Sequence, residues 1–326
     1  MFEIQSPTTE TVRIPDSLQE DREYFRSLDV DAHRYLDEEG YVVVRGLVDP
    51  DACAAIRKSF DDEVKSYSGF LYRQATARAE RNQLNELGHV MNPILNLQDL
   101  DSSHFARLRQ QSLDVFTSGS IVGALRSVFG EDPKLVQTMC FEGNSATWAH
   151  QDTYYLDSER VGTMVAAWIA LEDIHPGAGR FYVYARSHLV DIAKNGGDFD
   201  IAYHHDRYKT LIVELIRRNA LELRAPALAA GDVLFWNAKT MHGSLPTHGT
   251  TRTRQSLTAH YIPKSHRFLQ LQSRIKPLAL EFHNGIGVHC PKDQRKWANR
   301  MTLFVESRLP GPFYFTKRLA VKAMTG

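Results

Sequence analysis

The stretch "TWAHQDTYYL" at residues 147–156 places His150 and Asp152 two positions apart, in a run of residues that favour β structure. Side chains two positions apart on a strand point to the same face. An imidazole nitrogen and a carboxylate oxygen that converge supply two of the three ligands of a facial triad for iron(II). The stretch therefore predicts a strand that carries most of a metal site and needs one more ligand from another strand.

The second half of the chain has the pattern of a β core. Short apolar or alternating runs follow Pro133, with Gly, Pro and Asp between them, at 134–141, 146–156, 163–172, 180–184, 232–236 and 254–262. Many short strands separated by turn residues predict a sandwich or barrel. Helical patterns cover 31–40, ending at Gly40, then a stretch that begins at Asp49, then 102–130, and finally 205–223.

The chain shows no internal repeat and no convincing linker, so we predict one domain over 1–326, mainly β with flanking helices (α+β). Its expected parts are a loosely attached N-terminal arm (1–29), helical support and lid (30–130), a β core (131–263) with an insertion near 190–225, and a C-terminal extension (264–326). The extension mixes basic and aromatic residues. It could cover the site, form a dimer contact or dock a partner.

Composition indicates an ordinary globular protein and argues against some classes of partner. Hydrophobic residues make up 43% and charged residues 24% of 326 positions, as in ordinary globular proteins, and 39 basic residues balance 39 acidic ones. The balance argues against a nucleic-acid or anionic-membrane partner. The cysteines, Cys53, Cys140 and Cys290, are odd in number and far apart, which predicts reduced thiols. We expect a cytoplasmic protein with a small-molecule substrate, no nucleic acid and no membrane; a homo-oligomer is possible.

A third ligand is available in "GDVLFWNAKTMHGSLP" (231–246), where His242 follows a buried strand. The small residues after it would let the backbone approach a metal closely. Alone, a His-x-Asp pattern arises by chance in many chains, and most histidines are surface or packing residues. Arg252 and Arg254 precede another alternating strand. An arginine there could bind a dicarboxylic acid through two parallel hydrogen bonds, or it could be a solvated turn residue.

Seven motifs within 38–263 occur in a recognisable order: "EEGYVVVRGLVDPDACAAIRKSF", "LVQTMCF", "WAHQD", "AAWIALEDI", "GRFYVYARSH", "GDVLFWNAKTMHGS" and "RQSLTAHYIP". Together they resemble the phytanoyl-CoA dioxygenase family of iron(II)/2-oxoglutarate-dependent oxygenases. The resemblance implies a double-stranded β-helix, a cupin-like jelly roll of about eight strands, with helices against one sheet. It also implies Fe(II) as cofactor, with 2-oxoglutarate and O2 as co-substrates.

The resemblance implies roles for single residues. His150, Asp152 and His242 fall on the iron ligands of the family. Arg254 falls on the arginine that binds the distal carboxylate of 2-oxoglutarate, and Arg252 is the alternative because the preceding turn varies in length. The residues expected to line the co-substrate pocket are Ser244, Gln137, Gln151 and Trp168.

The chain departs from the family pattern in two places. Glu142 and Gly143 stand where a lysine is common, so a lysine contact to 2-oxoglutarate is not expected there. His188, in "YARSH", is interpreted as a turn or packing residue.

Substrate contacts should come from the variable segments. Residues 66–96 could form a lid over the barrel mouth, which makes Asn92 and Asn96 candidates, together with Tyr154 beside the metal ligands. Each could equally be a solvated or packing residue. Arg217 and Arg218 on the insertion helix could bind an anionic group, but they are more typical of a solvated helix face.

The residues favour hydroxylation of an unactivated C–H bond in a small metabolite or natural-product intermediate, with succinate and CO2 as co-products. Asp152 argues against halogenation, because the related halogenases have a small residue there. Desaturation, epoxidation and cyclisation stay open. So do a cupin-type metalloenzyme that does not use 2-oxoglutarate and a non-catalytic jelly-roll binding protein.

Overall fold

The computed structural model describes residues 2–14 and 24–325. Its helices are α1 (Val30–Glu39), α2 (Pro50–Phe60), α3 (Ala106–Phe116), α4 (Gly119–Phe129), α5 (Ile201–Arg218), α6 (Trp297–Arg308) and α7 (Pro310–Thr325). Its strands are β1 (Phe2–Gln5), β2 (Thr11–Ile14), β3 (Tyr41–Val44), β4 (Leu71–Tyr72), β5 (Ala79–Glu80), β6 (Ile94–Leu95), β7 (Pro133–Phe141), β8 (Thr147–His150), β9 (Leu156–Ser158), β10 (Val165–Ala170), β11 (Phe181–Tyr184), β12 (Leu223–Arg224), β13 (Val233–Asn237), β14 (His242–Ser244), β15 (Ser256–Pro263), β16 (Phe268–Gln270), β17 (Arg274–Lys276), β18 (Leu280–His283) and β19 (Ile286–His289).

Two sheets form the core. The larger has the order β18-β19-β7-β15-β10-β13-β3, with β6 also paired to β7, and the smaller has the order β12-β11-β14-β8. Trp168 and Trp236 of the larger sheet pack in one cluster with Phe181 and Val183 of the smaller. Strands β7, β15, β10 and β13 thus face β8, β14, β11 and β12. These eight strands form the predicted jelly roll. The larger sheet is extended by the additional strands β3, β6, β18 and β19.

Side-chain alternation decides which residues of the larger sheet point into the barrel. On β10, Val165, Ala167 and Ile169 pack into the cluster that contains the helices. Ala166 and Trp168 point the other way, toward the smaller sheet. Because successive side chains on a strand take opposite faces, one face of the larger sheet is covered by α1 to α4 and the other lines the barrel.

Local signals placed the first helices correctly. The Asp49 side chain accepts the Asp51 amide at the start of α2, with Pro50 in its first turn. Helix α1 ends at Gly40, whose φ is 81°, and a Cβ there would collide with His188 and Thr240. The predicted helical stretch 102–130 is two helices, α3 and α4, and Ser118 caps the second by accepting the Ile121 amide.

The N-terminal arm is more firmly attached than expected, as far as residues 2–14 show; residues 15–23 lie outside the described ranges. Strands β1 and β2 form a hairpin, and Ile4, Val12 and Ile14 are buried in a cluster on the outer face of the smaller sheet. The Thr8 hydroxyl lies 2.9 Å from that of Tyr184. Polar composition concealed the period-2 apolar positions that bind the hairpin to the core.

The insertion and the extension are both built into the fold. Helix α5 buries Tyr208, Ile212 and Leu215 against the outer face of the smaller sheet. In the extension, β19 runs parallel to β7 and widens the larger sheet, while β16 pairs with β9. Glu306 of α6 accepts the Tyr72 hydroxyl and the Ala79 amide. The extension therefore packs on the segment that contains β4 and β5.

Candidate metal centre and co-substrate pocket

The three predicted ligands meet where β8 and β14 pair, since His150 and His242 are direct partners across that ladder. Asp152 Oδ1 lies 3.8 Å from Nε2 of His150 and 3.5 Å from Nε2 of His242. One atom from each residue falls in a group whose members all lie within 4.8 Å of one another. A single ion can therefore reach all three.

The reason given for this convergence was wrong in part. The run 146–156 is not one strand: β8 ends at His150, a 3-10 turn covers Asp152–Tyr154, and β9 joins a different, three-stranded sheet. Asp152 thus reaches the histidines from a turn rather than through strand alternation. The turn is held by the Thr153 amide, which donates to the carbonyl of Ala238 just before β14.

Both histidines present the same nitrogen to the centre. Nδ1 of His150 lies 3.0 Å from the Trp148 carbonyl, and Nδ1 of His242 lies 2.9 Å from the Thr240 carbonyl. A carbonyl oxygen only accepts, so each Nδ1 must carry the proton. Each Nε2 is then a free lone pair, which is the state that binds a metal.

Burial and charge prepare the site electrostatically. Burial lowers the pKa of His242 to about 4, so its imidazole is neutral at physiological pH. Burial alone would raise the pKa of Asp152, but the adjacent His242 and His260 hold that pKa below its ordinary value. The centre therefore offers two imidazole nitrogens and one anionic carboxylate oxygen. This donor set fits ferrous iron with open positions for other ligands.

Aromatic rings fix the His242 imidazole. The Phe181 ring stacks on it with centroids 5.4 Å apart, and the Trp236 ring lies 4.9 Å away. Sequence reasoning missed Trp236 and also His260, whose Nε2 lies 3.4 Å from Asp152 Oδ2. The signal for His260 was available, because it has the same strand parity as Arg254 on the same alternating segment.

Arg254 lies deep in the barrel, with 3% of its surface exposed. Its guanidinium carbon is 5.5 Å from the Phe141 ring and 5.8 Å from the Trp168 ring. Its Nε has no hydrogen-bond partner among the described residues. Burial lowers its pKa to about 10, and no neighbouring acid offsets that effect. A buried, uncompensated cation is costly in a closed protein and fits a site for an anion.

Arg252 does not share this environment. It is exposed, and its backbone amide donates to the Thr250 hydroxyl. The Thr253 side chain turns away from Arg254, since its hydroxyl donates to Glu172, as does the Gln255 backbone amide. Of the two arginines, only Arg254 faces the barrel.

The other predicted co-substrate residues divide into two groups. Trp168 lies beside Arg254, and Gln137 is the cross-strand partner of His260 on the larger sheet. Ser244 is buried, and its hydroxyl donates to Asn144 at 3.0 Å. Gln151 instead uses its side-chain nitrogen to bind the Lys239 carbonyl. Its amide therefore supports the loop before β14, and its co-substrate role stays a prediction.

All three predicted substrate contacts are committed to hydrogen bonds within the fold. The Tyr154 hydroxyl donates to Gly197, and its ring packs 4.3 Å from that of Tyr208. Asn92 accepts the Gln83 amide and donates to the Arg81 carbonyl. The Asn96 side chain accepts the Thr138 amide, from a backbone position with φ of 58°. These contacts shape the fold, and the substrate roles of the three residues stay predictions.

The predicted lid, 66–96, is held along the edge of the larger sheet. Strand β6 pairs with Met139 and Cys140, and Val90 and Ile94 are buried in the cluster on the helix side. Glu142, which replaces the common lysine, accepts the Val90 amide and forms an ion pair with Lys65. It anchors the segment to β7.

His188, Arg217 and Arg218 make the contacts expected of packing and surface residues. His188 Nε2 is 3.0 Å from the Asp37 carbonyl of α1, in line with the expected packing role. Arg217 and Arg218 are exposed and contact Thr9 and Asn195 on the surface.

Gly243 lies on β14 directly after His242, and its surroundings leave no room for a side chain. A Cβ there would lie 2.5 Å from the Tyr182 hydroxyl and nearer still to the Thr147 carbonyl. The glycine thus lets β14 pair with β8, which differs from the expected approach of backbone to metal. Gly243→Ala should lower the free energy of unfolding by about 1–3 kcal/mol, measured by chemical denaturation. Gly123→Ala on α4, where nothing lies within 4 Å, should not.

The profile of the phytanoyl-CoA dioxygenase (PhyH) family matches residues 36–256, about two thirds of the chain. The chain belongs to this family. The predicted family and jelly-roll fold are therefore confirmed. The family match agrees with the predicted dioxygenase class, and the histidine–aspartate–histidine cluster agrees with the predicted iron site.

Three relatives give the family context. The ectoine dioxygenase of Halomonas elongata is 26% identical over 209 residues, which cover 54% of this chain and 61% of that protein, so the match spans about three fifths of the relative's length. The structure of SnoN, an alpha-ketoglutarate-dependent epimerase from nogalamycin biosynthesis, has a TM-score of 0.54 at 17% identity, covering 80% of this chain and 97% of its own. Iron-bound EctD from S. alaskensis has a TM-score of 0.52 at 16% identity, covering 81% and 88%. The two structures establish a shared fold.

Within the described ranges, no helix combines the length and apolar character needed to cross a bilayer. Cys53, Cys140 and Cys290 are free and buried.

Proposed function

We propose that the protein is an iron(II)- and 2-oxoglutarate-dependent dioxygenase that hydroxylates an unactivated C–H bond of a small metabolite or natural-product intermediate. One observation carries the proposal: a histidine–aspartate–histidine cluster shares a barrel with a buried guanidinium that no acid among the described residues neutralises. The first feature fits a ferrous ion, and the second fits the far carboxylate of a keto diacid.

Different residues of the chain would bind the metal ion and the co-substrate. His150, Asp152 and His242 would hold the ion, and Arg254 would bind the distal carboxylate of 2-oxoglutarate. When bound, iron(II) supplies oxidative chemistry that couples conversion of 2-oxoglutarate to succinate and CO2 with attack on a C–H bond. Trp168 and Phe141 exclude water around Arg254, which strengthens its pairing with a carboxylate.

The substrate is expected to approach from the His150 side. The His150 side chain is 18% exposed, against 7% for Asp152 and 5% for His242. Around His150 lie the rings of Trp148, at 5.7 Å, and Tyr155, at 5.8 Å. The Tyr155 hydroxyl lies 3.0 Å from His205 on α5, so the insertion helix forms part of this wall.

Other outcomes use the same site. The SnoN epimerase and the SnoK carbocyclase from the same biosynthesis share the fold of this chain, with TM-scores of 0.54. Epimerisation or ring closure is therefore the second candidate for the reaction. A cupin-type enzyme that does not use 2-oxoglutarate is disfavoured, since it leaves the burial of Arg254 without a purpose.

The proposal is tested with the metal-free protein, reconstituted anaerobically with Fe(II) and then exposed to O2, ascorbate and 2-oxoglutarate. We expect succinate formation that depends on Fe(II), accelerated by the true substrate in a panel of ectoine-like solutes and nogalamycin-like intermediates. A product heavier by one oxygen atom indicates hydroxylation, and a product of unchanged mass indicates epimerisation. Absence of iron-dependent succinate formation across the panel, together with no binding of 2-oxoglutarate, would overturn the proposal.

A further inference from the structure

The Asp152 carboxylate lies between the two sheets, and its two oxygens have different neighbours. Oδ1 faces His150 and His242 on the smaller sheet. Oδ2 accepts a hydrogen bond of 2.9 Å from Nε1 of Trp236 and lies 3.4 Å from Nε2 of His260, both on the larger sheet. Nothing in the sequence comparison assigns a role to these last two residues.

Trp236 and His260 belong to one row across the larger sheet. Ala166 on β10 is the cross-strand partner of Trp236 on one side and of His260 on the other. All three point into the barrel, and the Trp236 and His260 rings meet edge to face with centroids 6.1 Å apart. The Asp152 carboxylate reaches toward this row. We call Trp236, Ala166 and His260 the carboxylate seat.

The two ring nitrogens of His260 have different surroundings. A carboxylate oxygen accepts hydrogen bonds, so the Nε2 that faces Asp152 is the protonated nitrogen. Nδ1 has no partner among the described residues, although His260 is only 2% exposed. A buried polar atom without a partner is unfavourable, so an apolar side chain would pack here at lower cost. The contact with Asp152 is what a histidine adds at this position.

We propose that the carboxylate seat binds Oδ2 so that Asp152 offers a single oxygen, Oδ1, to the metal. A carboxylate is able to bind an ion through one oxygen or through two. With Oδ2 held by two donors, Asp152 occupies one coordination position and leaves the others to the histidines and the co-substrates. Trp236 and His260 are thus positioning residues that act through Asp152. The inference rests on the proposed metal site.

The test compares four variants by anaerobic titration of the metal-free protein with Co(II), followed by its visible absorption. Trp236→Phe removes one N–H and keeps most of the ring, and His260→Leu removes the other donor. His260→Gln restores an N–H donor. Tyr261→Phe is the matched control, since it removes a buried hydrogen bond to Phe116 on the opposite face of the same strand.

We expect Trp236→Phe and His260→Leu each to weaken Co(II) binding by about 10–100-fold, the range typical of residues that support metal ligands. Their Co(II) spectra should change in intensity as the coordination number changes, and His260→Gln should recover part of both properties. Tyr261→Phe should match the wild type in affinity and spectrum even where its stability falls.

The outcomes separate the two proposals. If the wild type binds Co(II) and the two donor-deleting variants bind it within twofold with the same spectrum, the seat is overturned and the metal site stands. If the wild type binds neither Co(II) nor Fe(II), both the proposed function and the proposed role of the carboxylate seat are overturned. Thermal unfolding of each metal-free variant shows whether it is folded. Should Trp236→Phe not fold, the pair His260→Leu and His260→Gln decides the question.

Discussion

A His242→Ala protein is expected to lose more than hundredfold in iron affinity and essentially all iron-dependent succinate formation. His242 is the most buried of the three ligands, and its Nε2 lies 3.5 Å from Asp152 Oδ1. Removing a ligand should exceed the 10–100-fold loss typical of residues that only support ligands. The measurement is iron stoichiometry after anaerobic dialysis against a defined free Fe(II) concentration, together with succinate formation by the same samples.

The control for this variant is His188→Ala. His188 is also a histidine of the jelly roll, but it packs against Asp37 of α1 and lies outside the metal cluster. It should keep wild-type iron stoichiometry, even if its melting temperature falls. Equal iron content in the His242→Ala protein and the wild type would contradict the assigned centre. Loss of iron in both variants would point to general destabilisation rather than to a ligand.

Much of the fold could be predicted from the sequence because local signals agreed with the final packing. The Asp49-Pro50 start of α2, the Gly40 end of α1 and the alternating runs of β7, β10, β13 and β15 all follow from capping and periodicity. The hairpin β1–β2 was missed because its short strands are stabilised by Tyr184 and its neighbours, which are far away in the sequence. Tertiary contacts of this kind leave little trace in composition.

In the site, too, the sequence predicted which residues take part but not how distant contacts position them. Residue type and motif order identified His150, Asp152, His242 and Arg254. They could not show that Asp152 reaches the centre from a 3-10 turn. The substrate candidates stay predictions. They were chosen from the variable segment 66–96 and from the stretch beside the ligands, and Tyr154 shows that such a position does not fix what a side chain contacts. It lies two residues from a ligand, yet its hydroxyl bonds to Gly197.

Arg254→Met is expected to change function and stability in opposite directions. Loss of the guanidinium removes one partner of a buried charge pair with 2-oxoglutarate, which should cost at least about 2 kcal/mol, or about 30-fold in affinity. In the ligand-free protein the same change removes a buried cation that no acid compensates, so the free energy of unfolding should rise by about 1 kcal/mol or more.

Thermal unfolding with and without 2-oxoglutarate measures both effects at once. A ligand that binds only the folded state raises stability according to its concentration relative to Kd. The wild type should therefore melt higher when 2-oxoglutarate and a divalent metal are added. Arg254→Met should start from a higher melting temperature without ligand and gain little on addition.

Arg252→Met provides the matched comparison, because it removes the same side chain two positions away at an exposed site. It should keep the wild-type melting temperature and the wild-type response to 2-oxoglutarate. If instead Arg252→Met loses the response and Arg254→Met keeps it, the co-substrate binds at the barrel surface. Burial of Arg254 would then need another explanation. If both respond like the wild type, neither guanidinium binds the diacid, and a metalloenzyme without 2-oxoglutarate becomes the better description of this barrel.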